Sequence, residues 1–135
     1  MSATISFSLA GSGGLGKSSG ARAVAQTLAA RGLRVVLVDG NPGQQSQRAF
    51  LRVPDAHGLE DIMFHDDITE ALVMPGDIDA DYALLPGPTD PLGEHVLDMY
   101  GSALIRLRRE ADMIIVDADR TDPRQWDDPN SFRAV

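Results

Sequence analysis

The sequence predicts an α/β fold, a parallel sheet flanked by helices in three layers. Two observations carry this. Arg34 to Asp39 (RVVLVD) and Ala111 to Asp117 (ADMIIVD) are apolar runs without alternation, each ending in an aspartate. Strands buried on both faces of a parallel sheet read this way. Between such runs lie stretches with apolar residues at helical spacing. Strands alternating with helices imply βαβ units with right-handed crossovers.

Taken in order, Ile5 to Ala10 (ISFSLA) reads as the first strand and runs into a glycine-rich loop. Ala21, Val24, Ala25 and Leu28 then repeat at i, i+3, i+4 and i+7, one face of a helix that ends at Arg31-Gly32 with a C′ glycine. Arg34 to Asp39 is the second strand, followed by a tight turn at Gly40-Asn41-Pro42-Gly43. Gln44 to Arg52 reads as a short helix ended by Pro54, and Gly58 to Phe64 as another. Acidic, weakly patterned sequence continues to Asp81. Tyr82 to Pro86 is a third strand, broken by Gly87-Pro88. Val96, Leu97, Tyr100, Leu104 and Leu107 mark an amphipathic helix between Glu94 and Glu110, before the fourth strand at Ala111 to Asp117. From Ala118 onward there is no apolar period, so residues 1–119 form the expected domain and 120–135 an irregular or disordered tail. If the fold stops after the Asp117 strand, that strand leaves an open, apolar edge suited to self-association.

The 135 residues contain no cysteine, which excludes disulfides and thiolate metal sites. There is no signal-peptide pattern at the N-terminus and no apolar run of about 18 residues, so a soluble cytoplasmic protein without a membrane segment is expected. The net charge is −8, and between Arg52 and Arg106 there are twelve acids and no Lys or Arg. Such a surface argues against direct DNA or anionic lipid binding and leaves room for a basic adaptor protein.

The loop Gly11-Ser12-Gly13-Gly14-Leu15-Gly16-Lys17-Ser18 fits G-x-x-x-x-G-K-[ST], set between a predicted strand and helix. In that context glycines let backbone N–H groups converge on phosphate oxygens, and the helix N-terminus adds its positive partial charge. Lys17 is a candidate to neutralise the β/γ-phosphates, and Ser18 to ligate Mg²⁺. Lys17 is the only lysine; the other eleven basic residues are arginine. Asp39 and Asp117 fall at the carboxyl ends of strands, the edge where open α/β sheets bind ligands. Asp117 has the form of a Walker B aspartate, and Asp39 is a candidate for the metal and for orienting the attacking water.

These segments resemble the ParA/MinD group of deviant Walker ATPases. Ser12 to Ser19 is similar to K-G-G-x-G-K-[ST]-[ST] except at its first residue, and Val36 to Pro42 is similar to L-V-D-x-D-P. Leu84 to Pro88 resembles the family's strand and turn after its variable middle, and Ala111 to Asp117 its Walker B stretch. The resemblance implies a P-loop NTPase, truncated after the Walker B strand, that binds ATP or ADP with Mg²⁺ and dimerises face to face. Hydrolysis in the family times the positioning of DNA or other cargo. It also implies that Gly11, Ser12, Gly13, Gly14, Leu15, Gly16, Lys17, Ser18 and Ser19 contact nucleotide. Ser18, Asp39 and Asp117 then serve the metal, and Lys17 and Asp39 the catalysis. Ser12 stands where the family has its signature lysine, and Arg22 or Arg48 are the candidates to replace that cation. A nucleotide sensor with little turnover is the alternative, and an ATP-dependent amide-forming synthetase or small-molecule kinase a third.

Overall fold

The computed structural model describes residues 3–7, 17–40, 46–53, 58–89 and 95–118. Four parallel strands, β1 (Ala3–Phe7), β2 (Val35–Gly40), β3 (Ala83–Leu85) and β4 (Met113–Ala118), form one sheet in the order β1-β4-β2-β3. Helix α1 (Lys17–Ala30) lies between β1 and β2 in sequence, α2 (Ser46–Phe50) after β2, and α3 (Val96–Leu107) between β3 and β4. The last strand therefore enters the slot between the first two. This overturns the expectation of an open edge at the Asp117 strand, since β4 is hydrogen-bonded on both sides. Among the described residues the outer strands are β1 and β3.

The uninterrupted apolar runs make sense against two covered faces. Val36 and Val38 of β2, Ala83 and Leu85 of β3, and Ile114 and Val116 of β4 pack on one side with Tyr100, Leu104 and Leu107 of α3. Val35, Leu37, Leu84 and Ile115 point the other way, onto Ala21 and Ala25 of α1. Strands β2, β3 and β4 place successive side chains on opposite faces, and both faces are covered. The result is the predicted three-layer arrangement.

The helical face read from Ala21, Val24, Ala25 and Leu28 is the one α1 turns inward. Its end follows the prediction as well. Gly32 has φ +93, and its N–H donates to the Ala29 carbonyl at 3.0 Å, a left-handed stop that favours glycine. The acidic stretch without a pattern is less irregular than expected. Two 3-10 turns, Ile68–Ala71 and Pro75–Asp77, lie within it, and a third, Leu59–Met63, replaces the expected helix at 58–64. Leu59, Ile62, Ile68 and Ala71 plug into the core beside α3. Asp67 caps the Ile68–Ala71 turn by accepting from the Thr69 N–H at 3.0 Å. Val73 bridges Leu84 in antiparallel fashion, which extends the sheet beyond β3 by one residue pair. The first strand covers 3–7 rather than 5–10, of which 8–10 lie outside the described residues. The expected tail at 120–135 also lies outside them.

Candidate functional site

The β2–β4 register sets Asp39 directly beside Asp117, with Phe7 of β1 on the other side of Asp117. Both carboxylates come at the carboxyl end of the parallel strands, and both are buried. The N-terminus of α1 arrives at the same end. There the Ser18 hydroxyl donates to Oδ2 of Asp117 at 2.7 Å, joining residues 99 apart in sequence. Ser19 is exposed on the first turn of α1. Lys17 is the first helical residue, as the motif requires. Gly11, Ser12, Gly13, Gly14, Leu15 and Gly16 lie outside the described residues.

Asp39 is held from two sides. The Arg48 N–H reaches Oδ2 at 3.4 Å, and the Tyr100 hydroxyl donates to the Asp39 carbonyl at 2.7 Å. Its Oδ1 is buried with no hydrogen-bond partner among the described residues. Burial, and then the charge of Asp117, push the Asp39 carboxyl up to about 7. Tyr100 is raised well above the usual phenol range by its own burial and by Asp39. Two adjacent buried carboxylates with a hydroxyl are hard oxygen donors. They fit Mg²⁺, which takes one or two protein carboxylates and fills its remaining positions with water and phosphate. Among the described residues no group of three His, Cys, Asp or Glu side chains could hold a metal by itself.

The two arginines offered as substitutes for the missing lysine are both engaged. Arg48 is buried and donates to the Gly87 carbonyl at 2.8 Å, bracing the turn after β3. Arg22 donates to Gln47 at 3.2 Å and to the Ser19 hydroxyl at 3.1 Å, with its guanidinium 3.8 Å from the centroid of the Phe50 ring. Gln47 was missed by sequence reasoning. Its Nε2 lies 2.9 Å from Oδ2 of Asp117 and 3.2 Å from the Ser18 carbonyl. Nothing in the sequence separates it from its neighbours Gln44 and Gln45; only its bonds to Ser18 and Asp117 in the folded chain do. His65 and His95 pair with Glu70 at 2.7 Å and Asp98 at 3.4 Å, in keeping with acidic-surface histidines away from the site.

No protein-family model and no curated protein matches this chain. Solved structures do. Cobyrinic acid a,c-diamide synthase from Mycobacterium smegmatis, with bound ATP analogue and magnesium, aligns with TM-score 0.69 at 21% identity over 88% of this chain and 52% of its own. The cell division ATPase MinD of Pyrococcus furiosus aligns with TM-score 0.66 at 27% identity, over 87% and 50%. A plasmid partition protein from Borrelia burgdorferi aligns with TM-score 0.63 at 19% identity, over 88% and 57%. The chain thus spans about half the length of the structures it matches. Over that half, it has the three-layer P-loop fold of the ParA/MinD ATPases.

Proposed function

We propose that the chain is a ParA/MinD-like ATP-binding protein, a slow Mg²⁺-dependent ATPase that positions DNA or another cargo in the cytoplasm. One observation carries the reading: the first turn of α1 and the end of β4 meet through Ser18 and Asp117 at 2.7 Å. In P-loop NTPases a hydroxyl and an aspartate at these two places hold the metal. The similar synthase from Mycobacterium smegmatis carries an ATP analogue and magnesium, which supports ATP and Mg²⁺ as what this site binds.

On this reading residues 1–119 are the nucleotide-binding unit and 120–135 a tail. The N–H groups of 11–16 and of the first turn of α1, including Ser19, converge on phosphate oxygens. Lys17 neutralises the β/γ-phosphates. Ser18 and Asp117 hold Mg²⁺, which when bound offsets charge developing on the transferring phosphoryl group. Asp39 stands beside them with a carboxyl pushed up to about 7, so near neutral pH it can both accept and return a proton. Its role is to orient the attacking water. Self-association as a dimer or larger assembly belongs to this reading. The acidic stretch between Arg52 and Arg106 suits a basic adaptor better than DNA.

The engagement of Arg22 and Arg48 within the chain favours a second reading, a nucleotide sensor. With Ser12 in place of the signature lysine and both arginines bonded within the chain, an electrostatic contribution to catalysis is lost. Calorimetric titration with ATP and Mg²⁺, on wild type and Lys17→Ala with phosphate release measured on the same samples, separates the two. The ATPase reading expects slow release by wild type and about ten- to hundred-fold weaker binding by the variant, the worth of one or two charge-assisted hydrogen bonds. Binding without release selects the sensor. Absence of binding by wild type overturns both.

A further inference from the structure

Gln47 is fully buried on α2, carries no charge and belongs to no motif. Its carboxamide is used at both ends. Oε1 accepts from Nη1 of Arg22 at 3.2 Å, while Nε2 faces Oδ2 of Asp117 at 2.9 Å and the Ser18 carbonyl at 3.2 Å. Chemistry determines which way round the amide lies. A guanidinium can only donate and a carboxylate can only accept, so the oxygen must face Arg22 and the NH₂ must face Asp117. The reverse orientation would set oxygen against carboxylate and N–H against guanidinium.

We propose that Gln47 is a positioning residue for the metal-binding pair, locking Asp117 and the first turn of α1 into one arrangement, with Arg22 fixing the orientation of its amide. The inference rests on the ATP and Mg²⁺ reading above. Ser18 already bonds Asp117, but a serine hydroxyl turns freely about its C–O bond and must share its oxygen with a cation. The amide is planar and donates two hydrogens in fixed directions. One holds the carboxylate on β4 and the other holds the backbone of the residue that carries the hydroxyl. The spacing between the two ligands is therefore kept by a group that does not itself bind the metal. Arg22 is in turn steadied by the Ser19 hydroxyl and by stacking on Phe50.

Groups that orient metal ligands typically change metal affinity by about 10- to 100-fold when removed. The test uses a fluorescent N-methylanthraniloyl-ATP, bound in EDTA and then titrated with Mg²⁺, on wild type, Gln47→Met and Arg22→Met. Methionine keeps the length of either side chain's inner part and removes the hydrogen bonds. The expected result for Gln47→Met is a Mg²⁺ midpoint raised about 10- to 100-fold, with affinity in EDTA within about twofold of wild type. Arg22→Met should shift the midpoint the same way by a smaller factor. An unchanged midpoint in a folded Gln47→Met overturns the proposal. So does an equal loss in EDTA, which is what a merely structural residue would give. If Gln47→Met does not fold by circular dichroism, the part-exposed Arg22→Met decides: a same-direction shift supports the proposal and no shift overturns it. Wild type that binds the probe under neither condition overturns the ATP reading itself, a result distinct from any failure of Gln47.

Discussion

Asp39 is the last residue but one of β2 and has no exposed surface, and the neighbour forced on it by the sheet register is another carboxylate, Asp117. Burial and that neighbour raise its folded-state value to about 7, against about 3.9 in an unfolded chain. An acid whose value is raised by folding binds its proton more tightly when folded. Its contribution is therefore fully present below about pH 4 and is lost as pH rises through 7. In the nucleotide-free chain, urea unfolding of wild type compared with Asp39→Asn should show the wild type losing ground steadily between about pH 4 and 7. The relative loss is on the order of 4 kcal/mol as an upper figure, at 1.36 kcal/mol per unit. A difference that stays flat across that window would remove the physical basis for treating Asp39 as a proton-accepting group at neutral pH.

At the scale of elements, the 3-10 turn at Leu59–Met63 and the turn after β3 depend on a close backbone approach at Gly58. A β-carbon there would collide with the Gly87 carbonyl and would lie 2.8 Å from the Pro86 carbonyl and 3.1 Å from Nη2 of Arg48. Two of those three neighbours are backbone and cannot swing aside. Gly58→Ala should therefore cost about 1–3 kcal/mol, the usual result of overfilling a packed region. A denaturant midpoint within error of wild type would show that the turn can move away. Arg48 links this turn to the candidate site, because its N–H serves Asp39 and its guanidinium serves Gly87. The turn after β3, which reads in the sequence only as a strand break at Gly87-Pro88, is thus tied by one residue to the aspartate on β2. No local pattern announces such a link, since it joins residues 39 apart.

For the molecule as a whole, the strand order decides where stability resides. Ile115 sits on β4, in the middle of the sheet, fully buried against Leu37, Leu84 and α1. Ile115→Ala should cost about 2–5 kcal/mol by equilibrium unfolding, the range for deleting a large aliphatic side chain from a core. Ile105, on α3 but 54% exposed, is a control expected to stay within about 0.5 kcal/mol. Equal effects at the two sites would contradict a central β4. Had that strand been the outer one, as its position at the end of the patterned sequence suggested, part of this burial would be missing. Among the described residues no helix is long and apolar enough to cross a membrane.

The sequence alone determined the α/β class, the stop of α1 at Gly32, its inward face and the presence of an aspartate at the end of two buried strands. Those features are local. Periodicity, glycine conformation and buried apolar runs act over a few residues and leave their mark in order along the chain. What only the tertiary structure decided is which strands are neighbours, and everything that depends on it. The insertion of β4 between β1 and β2 puts Asp117 beside Asp39, raises the value of one by the charge of the other, and brings Ser18 and Gln47 to the same carboxylate. It also shows Arg48 to be a brace rather than a free cation. Strand order follows from the crossover path and from packing on both sheet faces at once, contacts that bring together residues far apart in sequence.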